Sequence, residues 1–170
     1  MQFCCLHKNK LIFRILPIML ICIILVGCAS KKEVPVGTVV VEGDAAESRA
    51  FFTLEELKAM EEGLREADYF SLNSYGTRKY FHFKGISLGY LLREKVGLKD
   101  HASKITFIAE DGYKVEYTPE DVLKKDYIDE ENPEVKYEMI LAWEEDGVEY
   151  NPEIGNPFRL VVGQKEPGDV

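Results

Sequence analysis

Every cysteine of this 170-residue chain, Cys4, Cys5, Cys22 and Cys28, lies at or before position 28. Whatever folds beyond that point has no disulfide and must be held together by its core. The same stretch explains the placement. His7, Lys8, Lys10 and Arg14 come without an acidic residue, an apolar run follows from Ile15 to Val26, and Gly27 closes it. Basic, apolar, small is the order of an export signal, here residues 1–27. The apolar run has 12 residues and contains Pro17, whereas a helix crossing the hydrocarbon core needs roughly 20. The competing reading is an anchor helix from Leu11 to Val26 with Arg14 reaching toward headgroups, which leaves Cys28 without a purpose.

Leu25-Val26-Gly27-Cys28 resembles the lipobox of bacterial lipoproteins. The resemblance implies that Cys28 is diacylated on sulfur, becomes the mature N-terminus, and anchors the chain to a lipid bilayer outside the cytoplasm. Stable anchoring takes two acyl chains or more, which this lipidation supplies. Residues 28–37 are small, charged and proline-containing, and read as a tether. Loss of residues 1–27 removes three basic residues and no acidic one, leaving 18 Lys and Arg against 30 Asp and Glu, a net charge of -12. That sign excludes nucleic acid, whose phosphates need cations. It also repels an anionic membrane surface, so the lipid acts as a tether and not as part of a docking face.

Residues 38–170 suffice for one domain burying roughly two-thirds of its unfolded surface. Thr38 to Gly43 is β-branched and predicts the first strand. Thr53 and Glu56 stand at capping-box spacing, with Phe52 and Leu57 as a hydrophobic staple, so a helix is expected through Met60 and ending at Gly63. Alternation from Ala67 to Ser74 predicts a strand with Phe70 and Leu72 inward. Residues 75–79 read as a loop, and Tyr80 to Gly85 as extended. Ser87 caps a helix carrying Leu88, Leu91, Leu92 and Val96, ended by Gly97. Glu110-Asp111-Gly112 marks a hairpin between 104–109 and 113–117, and Thr118-Pro119 starts a short helix. Residues 124–136 read as an exposed, solvated acidic loop. Glu138 to Glu144, a turn at Asp146-Gly147, and Asn156 to Gly163 supply the last strands. Strands separated by short helices without a regular βαβ rhythm predict an α+β domain with a mixed sheet.

This order resembles the molybdopterin-binding oxidoreductase domain of the sulfite oxidase type. Phe52 to Met60 is similar to the family's sleeve helix. Gly85-Ile86-Ser87-Leu88-Gly89-Tyr90-Leu91-Leu92 is similar to its Gly-Val-Pro-Leu-x-x-Leu-Leu turn into a helix, and Asp111-Gly112-Tyr113 matches its hairpin. Ile140 to Gly147 and Gly155 to Gly163 look like its later strands. The resemblance covers residues 38–165 and implies a molybdopterin cleft. It departs at the metal ligand: Ser74 stands where the family places the molybdenum-ligating Cys, and an alkoxide is a harder donor of far higher pKa than a thiolate.

The resemblance names Ser74, Arg78, His82 and Arg159 as cofactor-contacting positions, with Lys79 and Lys165 as further cations. Read by themselves, Ser74 is a polar residue ending a strand and Arg78 a solvated loop residue beside Tyr75 and Tyr80. His82 faces away from Phe81 and Phe83. Arg159, inside an apolar strand, requires an edge, a cleft or a carboxylate partner. No catalytic residue and no metal site is assigned. No cofactor is expected, and molybdopterin is the alternative that the resemblance keeps open. Three functions remain: a non-catalytic binding domain for a small anionic ligand or a protein, a small molybdopterin-dependent oxidoreductase, and an interaction module of an envelope complex.

Overall fold

The computed structural model describes residues 35–155 and 157–169. The expected leader and Cys28 lie outside the described residues. Of the tether only Pro35 to Gly37 is described, a turn in which Thr38 N–H donates to Pro35 O at 3.2 Å.

The fold is dominated by antiparallel sheet with a few short helices. Strands β1 (Val39–Val41) and β2 (Ala50–Phe52) form a ribbon that delivers Thr53 as a helix cap. Thr53 Oγ1 accepts from Glu56 N–H at 3.3 Å and Glu56 Oε2 accepts from Thr53 N–H at 2.8 Å, the expected capping box. Phe52 and Leu57 of the staple are both buried. The helix, α1, spans only Leu54–Lys58, and Gly63 instead closes a separate 3-10 turn, Glu61–Gly63.

The central sheet joins β3 (Leu64–Leu72), β4 (Arg78–Ser87) and β9 (Ile140–Glu145), with β10 (Val148–Glu149) and β11 (Arg159–Val161) sharing the far edge of β9. Asn73 Oδ1 accepts from the N–H groups of Tyr75 and Thr77, both at 3.0 Å, and so folds the β3–β4 turn. β3 begins three residues earlier than the alternation suggests. Its inward set also differs: Phe70 is buried against Tyr80, Leu72 is half-buried, and Tyr69 of the opposite face is buried between Phe83 and Tyr137. Both faces are covered there, so a one-face reading fails.

Ser87 starts α2, a single α turn (Leu88–Tyr90) that widens into a π-helix (Leu91–Val96). The hairpin β5 (Ile105–Ile108) and β6 (Lys114–Tyr117) follows, then α3 (Pro119–Leu123), capped by Thr118 Oγ1 accepting from Asp121 N–H at 3.1 Å. The acidic stretch forms a small ladder, β7 (Tyr127–Ile128) with β8 (Lys136–Tyr137). The solvated-loop expectation fails for Asp129, which is 1% exposed, because its carboxylate is consumed by Tyr80 and by two backbone N–H groups. The expected mixed sheet is also corrected. Every ladder among the described residues is antiparallel; short turns impose this on β3–β4, β5–β6 and β9–β10, whereas β4 and β9 pair antiparallel across the long connection from Leu88 to Met139.

Leu57, Ile86, Leu91, Met139, Ile140 and Trp143 are the innermost large apolar residues. They pack α1 and α2 against the sheet. At the β4 bulge between Lys84 and Gly85, β9 passes so close that a Cβ on Gly85 would stand 2.3 Å from Leu141 O. Gly85→Ala should therefore lower stability by about 1–3 kcal/mol, the range for an overfilled core. Gly112, at φ 86°, occupies the left-handed region with open space around it, so Gly112→Val should cost about 1–2 kcal/mol through the backbone alone. Denaturant midpoints of both variants check this, and an unchanged midpoint for Gly85→Ala would contradict the close approach.

Candidate functional site

The four sequence-derived positions lie along the β3–β4 hairpin and on β11. Ser74 is exposed in the hairpin turn that Asn73 folds. Arg78 starts β4 beside that turn and opposite Leu72. Arg159 sits opposite Ala142, which in turn sits opposite Gly85. Gly85 stands seven positions along β4 from Arg78, so Arg78 and Arg159 start from levels of the sheet roughly 20 Å apart. Ser74 lies beyond Arg78. The structure does not gather these side chains into one cleft.

The cations at and near these positions are also occupied. Arg78 Nη1 bonds to Glu131 Oε1 and stands 3.2 Å from Glu130 Oε1, where the angle makes an ion pair without a hydrogen bond. Arg159 Nη1 donates to Glu145 Oε2 at 2.8 Å, and its guanidinium lies over the Phe83 ring. The same Glu145 oxygen accepts from Tyr150 Oη at 2.7 Å. The carboxylate partner that an arginine in an apolar strand demands is therefore Glu145. Lys79 lies over the Phe81 ring, and Lys165 pairs with Asp121 at 2.7 Å.

His82 faces away from both phenylalanines, as period-two geometry requires. Its Nδ1 is 2.7 Å from Asp68 Oδ1 and its Nε2 3.2 Å from Glu66 Oε1. Glu66 also pairs with Lys84 at 3.0 Å. Hydrogen bonding to Asp68, and then to Glu66, raises the imidazole pKa above its ordinary value. Both ring nitrogens are taken, so the ring offers no free base to a substrate. Among the described residues no group of three or more His, Cys, Asp or Glu is placed to hold a metal ion.

A molybdopterin needs several cations converging on its phosphate and a donor for the metal. Here the cations are dispersed, Arg78, His82, Arg159 and Lys165 are paired with carboxylates of the same domain and Lys79 lies on a ring, and the strand-end donor is a turn serine. The residues present do not fit that group. No protein-family model matches the chain, and no curated protein is significantly similar to it.

Two features escape a sequence reading. Glu138 is half-buried between β4 and the start of β9. Its Oε1 accepts from Arg65 Nε at 3.2 Å and Nη2 at 3.0 Å, Ser87 Oγ donates to its Oε2, and Tyr69 Oη donates to its backbone oxygen at 2.8 Å. Burial opposes ionisation of Glu138, but the Ser87 and Arg65 hydrogen bonds outweigh it and hold the pKa below the ordinary carboxylate value. Ser87 and Glu138 are 51 residues apart, so no local pattern announces the pair. The second is a cleft of about 430 Å³ lined by Ala67, Asp68, Tyr80, Asp129, Asn132, Val135 and Tyr137. Its acid Asp129 is already satisfied, as described above.

These pKa directions give two tests. Glu138 is depressed in the fold, so its contribution is present above the ordinary carboxylate value near 4.5 and is lost as pH falls through the lower folded value. Glu138→Gln should lower stability at pH 7 by about 1–3 kcal/mol and flatten the acid limb of a stability–pH curve. His82 is raised, so its contribution is complete below pH 6.5 and is lost as pH rises through the higher folded value. His82→Gln should remove that neutral-to-alkaline slope. Denaturant melts from pH 3 to 9 measure both, and a slope unchanged in either variant would refute its assignment.

Proposed function

We propose that this chain is a lipid-anchored, extracytoplasmic binding domain that uses a molybdopterin-domain type of fold without its redox chemistry. The order of elements supports the fold half of this reading. The α1 capping box, the Ser87-capped helix, the Asp111-Gly112 hairpin, the Pro119 turn and the β9–β10 hairpin follow one another as in that family. The observation that carries the non-catalytic half is the engagement of Arg78, His82 and Arg159 by Glu131, Asp68 and Glu145. Side chains spent on neutralising their own sheet are not available to stabilise charge on a reacting group, which is where most catalytic power resides. The Leu25-Val26-Gly27-Cys28 sequence supports the anchor.

A second reading, an interaction module of an envelope complex, is favoured by Tyr75, which is 93% exposed beside Ser74 at the hairpin tip. An aromatic ring held out on a folded turn is a common anchor at protein interfaces.

Protein expressed in a bacterial host that makes molybdopterin should fractionate with membranes and incorporate labelled fatty acid, and Cys28→Ala should abolish the label. The purified protein should carry well under one molybdenum per chain. Metal analysis together with fluorescence of oxidised pterin measures this. Near-stoichiometric amounts of both, lost in Ser74→Ala, would make the chain a small molybdopterin enzyme instead.

A further inference from the structure

Of the five arginines in the described residues, four face a carboxylate: Arg49 pairs with Glu42, Arg65 with Glu138, Arg78 with Glu131 and Arg159 with Glu145. Arg93 has no such partner among the described residues, although Asp and Glu outnumber Lys and Arg by 30 to 21 over the chain. A guanidinium presents five donors in a planar fork suited to a carboxylate or phosphate. In so acidic a domain, a guanidinium left unpaired is an available anion receptor.

Its surroundings form a site. Arg93 lines a cavity of about 410 Å³ together with Lys99, Asp100 and the apolar Leu98, Ala102, Pro119 and Leu123. That volume falls within the range of small-molecule pockets. Lys99 Nζ donates to Asp44 O at 3.2 Å, which leaves two of its three N–H donors for a ligand. Arg93 is carried by the π-helical turn Leu91–Val96, a rare geometry that recurs at functional sites. The opposite wall is held by backbone hydrogen bonds from Leu98 to Leu92 O at 2.9 Å, Lys99 to Ala45 O at 2.8 Å and Ala102 to Lys99 O at 3.1 Å. The backbone of that wall is therefore set before any ligand arrives.

We infer that the cavity between the π-helical turn and α3 binds a small monocarboxylate, with its anion on Arg93 and Lys99 and an apolar body against Leu98, Pro119 and Leu123. Two cations facing one acid, Asp100, leave the lining with a single excess positive charge, matched to a monoanion. A dianionic phosphate meets the same Asp100 and the acidic field of the whole domain at twice the cost. The apolar walls favour an aryl or short alkyl body over a sugar or a second charge. This inference deepens the reading of the chain as a binding domain, and it depends on neither the lipid anchor nor the molybdopterin-type fold.

The test is equilibrium dialysis of radiolabelled 4-phenylbutyrate against the full chain in detergent micelles. An Arg93→Gln sample in the same detergent accounts for micelle uptake. The native chain should bind one equivalent with a dissociation constant on the order of 1 mM or tighter, as expected for a ligand of this size. Arg93→Gln should weaken binding about tenfold or more, Arg93→Lys should recover part of it, and Lys99→Met should weaken it less. Arg93 and Lys99 are both exposed, so circular dichroism should be unchanged in all three variants. 4-Phenylbutanamide should fail to compete, and phenyl phosphate should compete more weakly than unlabelled 4-phenylbutyrate. Equal retention by native chain and Arg93→Gln, or effective competition by the amide, would overturn the site. Stronger competition by phenyl phosphate would overturn the monocarboxylate assignment. Fatty-acid labelling and molybdenum content are unaffected by any of these outcomes, so failure here is distinguishable from failure of the wider reading.

Discussion

The close passage of β4 and β9 at Gly85 is the constraint on which the rest of the structure depends. β9 pairs with β4 on one side and with β10 and β11 on the other, so every strand of the central sheet reaches the remainder through this contact. Only a residue without a Cβ admits Leu141 O at that distance. Two residues later Ser87 closes the ladder opposite Ile140, caps α2 and bonds to Glu138. One side chain thus ties the end of β4, the start of the helix and the approach to β9. Glu138 is tolerated in this half-buried position because Arg65 and Ser87 together replace the water it loses, and an unpaired carboxylate there would not be.

The acidic composition is managed chiefly by pairing on the sheet. Glu66, Asp68, His82 and Lys84 form cross-strand pairs along one face of β3 and β4. Arg78 and Tyr80 fold the acidic stretch at 129–131 back onto the same hairpin. Exposed pairs of this kind each contribute little, but together they use up the cations that a polyanion would require. The cavity beneath the π-helical turn stands apart from this network and is lined by Arg93, the one described arginine without a carboxylate partner.

The local devices of the fold were legible in the sequence. The Thr53/Glu56 capping box, the Ser87 and Thr118 caps, the Asp111-Gly112 hairpin and the Asp146-Gly147 turn all stand where their residues place them. Each depends on interactions within about four residues, which a linear reading contains. Helix length was not legible in the same way: α1 stops at Lys58 although the apolar pattern continues to Met60, because packing and not propensity decides how far a short helix extends.

By itself, then, the sequence determined the turns, the caps, the confinement of cysteine to the first 28 residues and the α+β class. Only the tertiary structure decided which charges are spent and which are free. A linear reading does not name the partners of Arg78, His82 and Arg159, which lie 53, 14 and 14 positions away. Arg93 falls within the stretch that Ser87 caps, and it alone among the described arginines lacks a carboxylate and lines a cavity. Asp129 belongs to a segment that reads as solvated, and it is buried by a tyrosine 49 positions earlier. Charge pairing acts through space over a few ångströms, and distance along the chain carries almost no information about it.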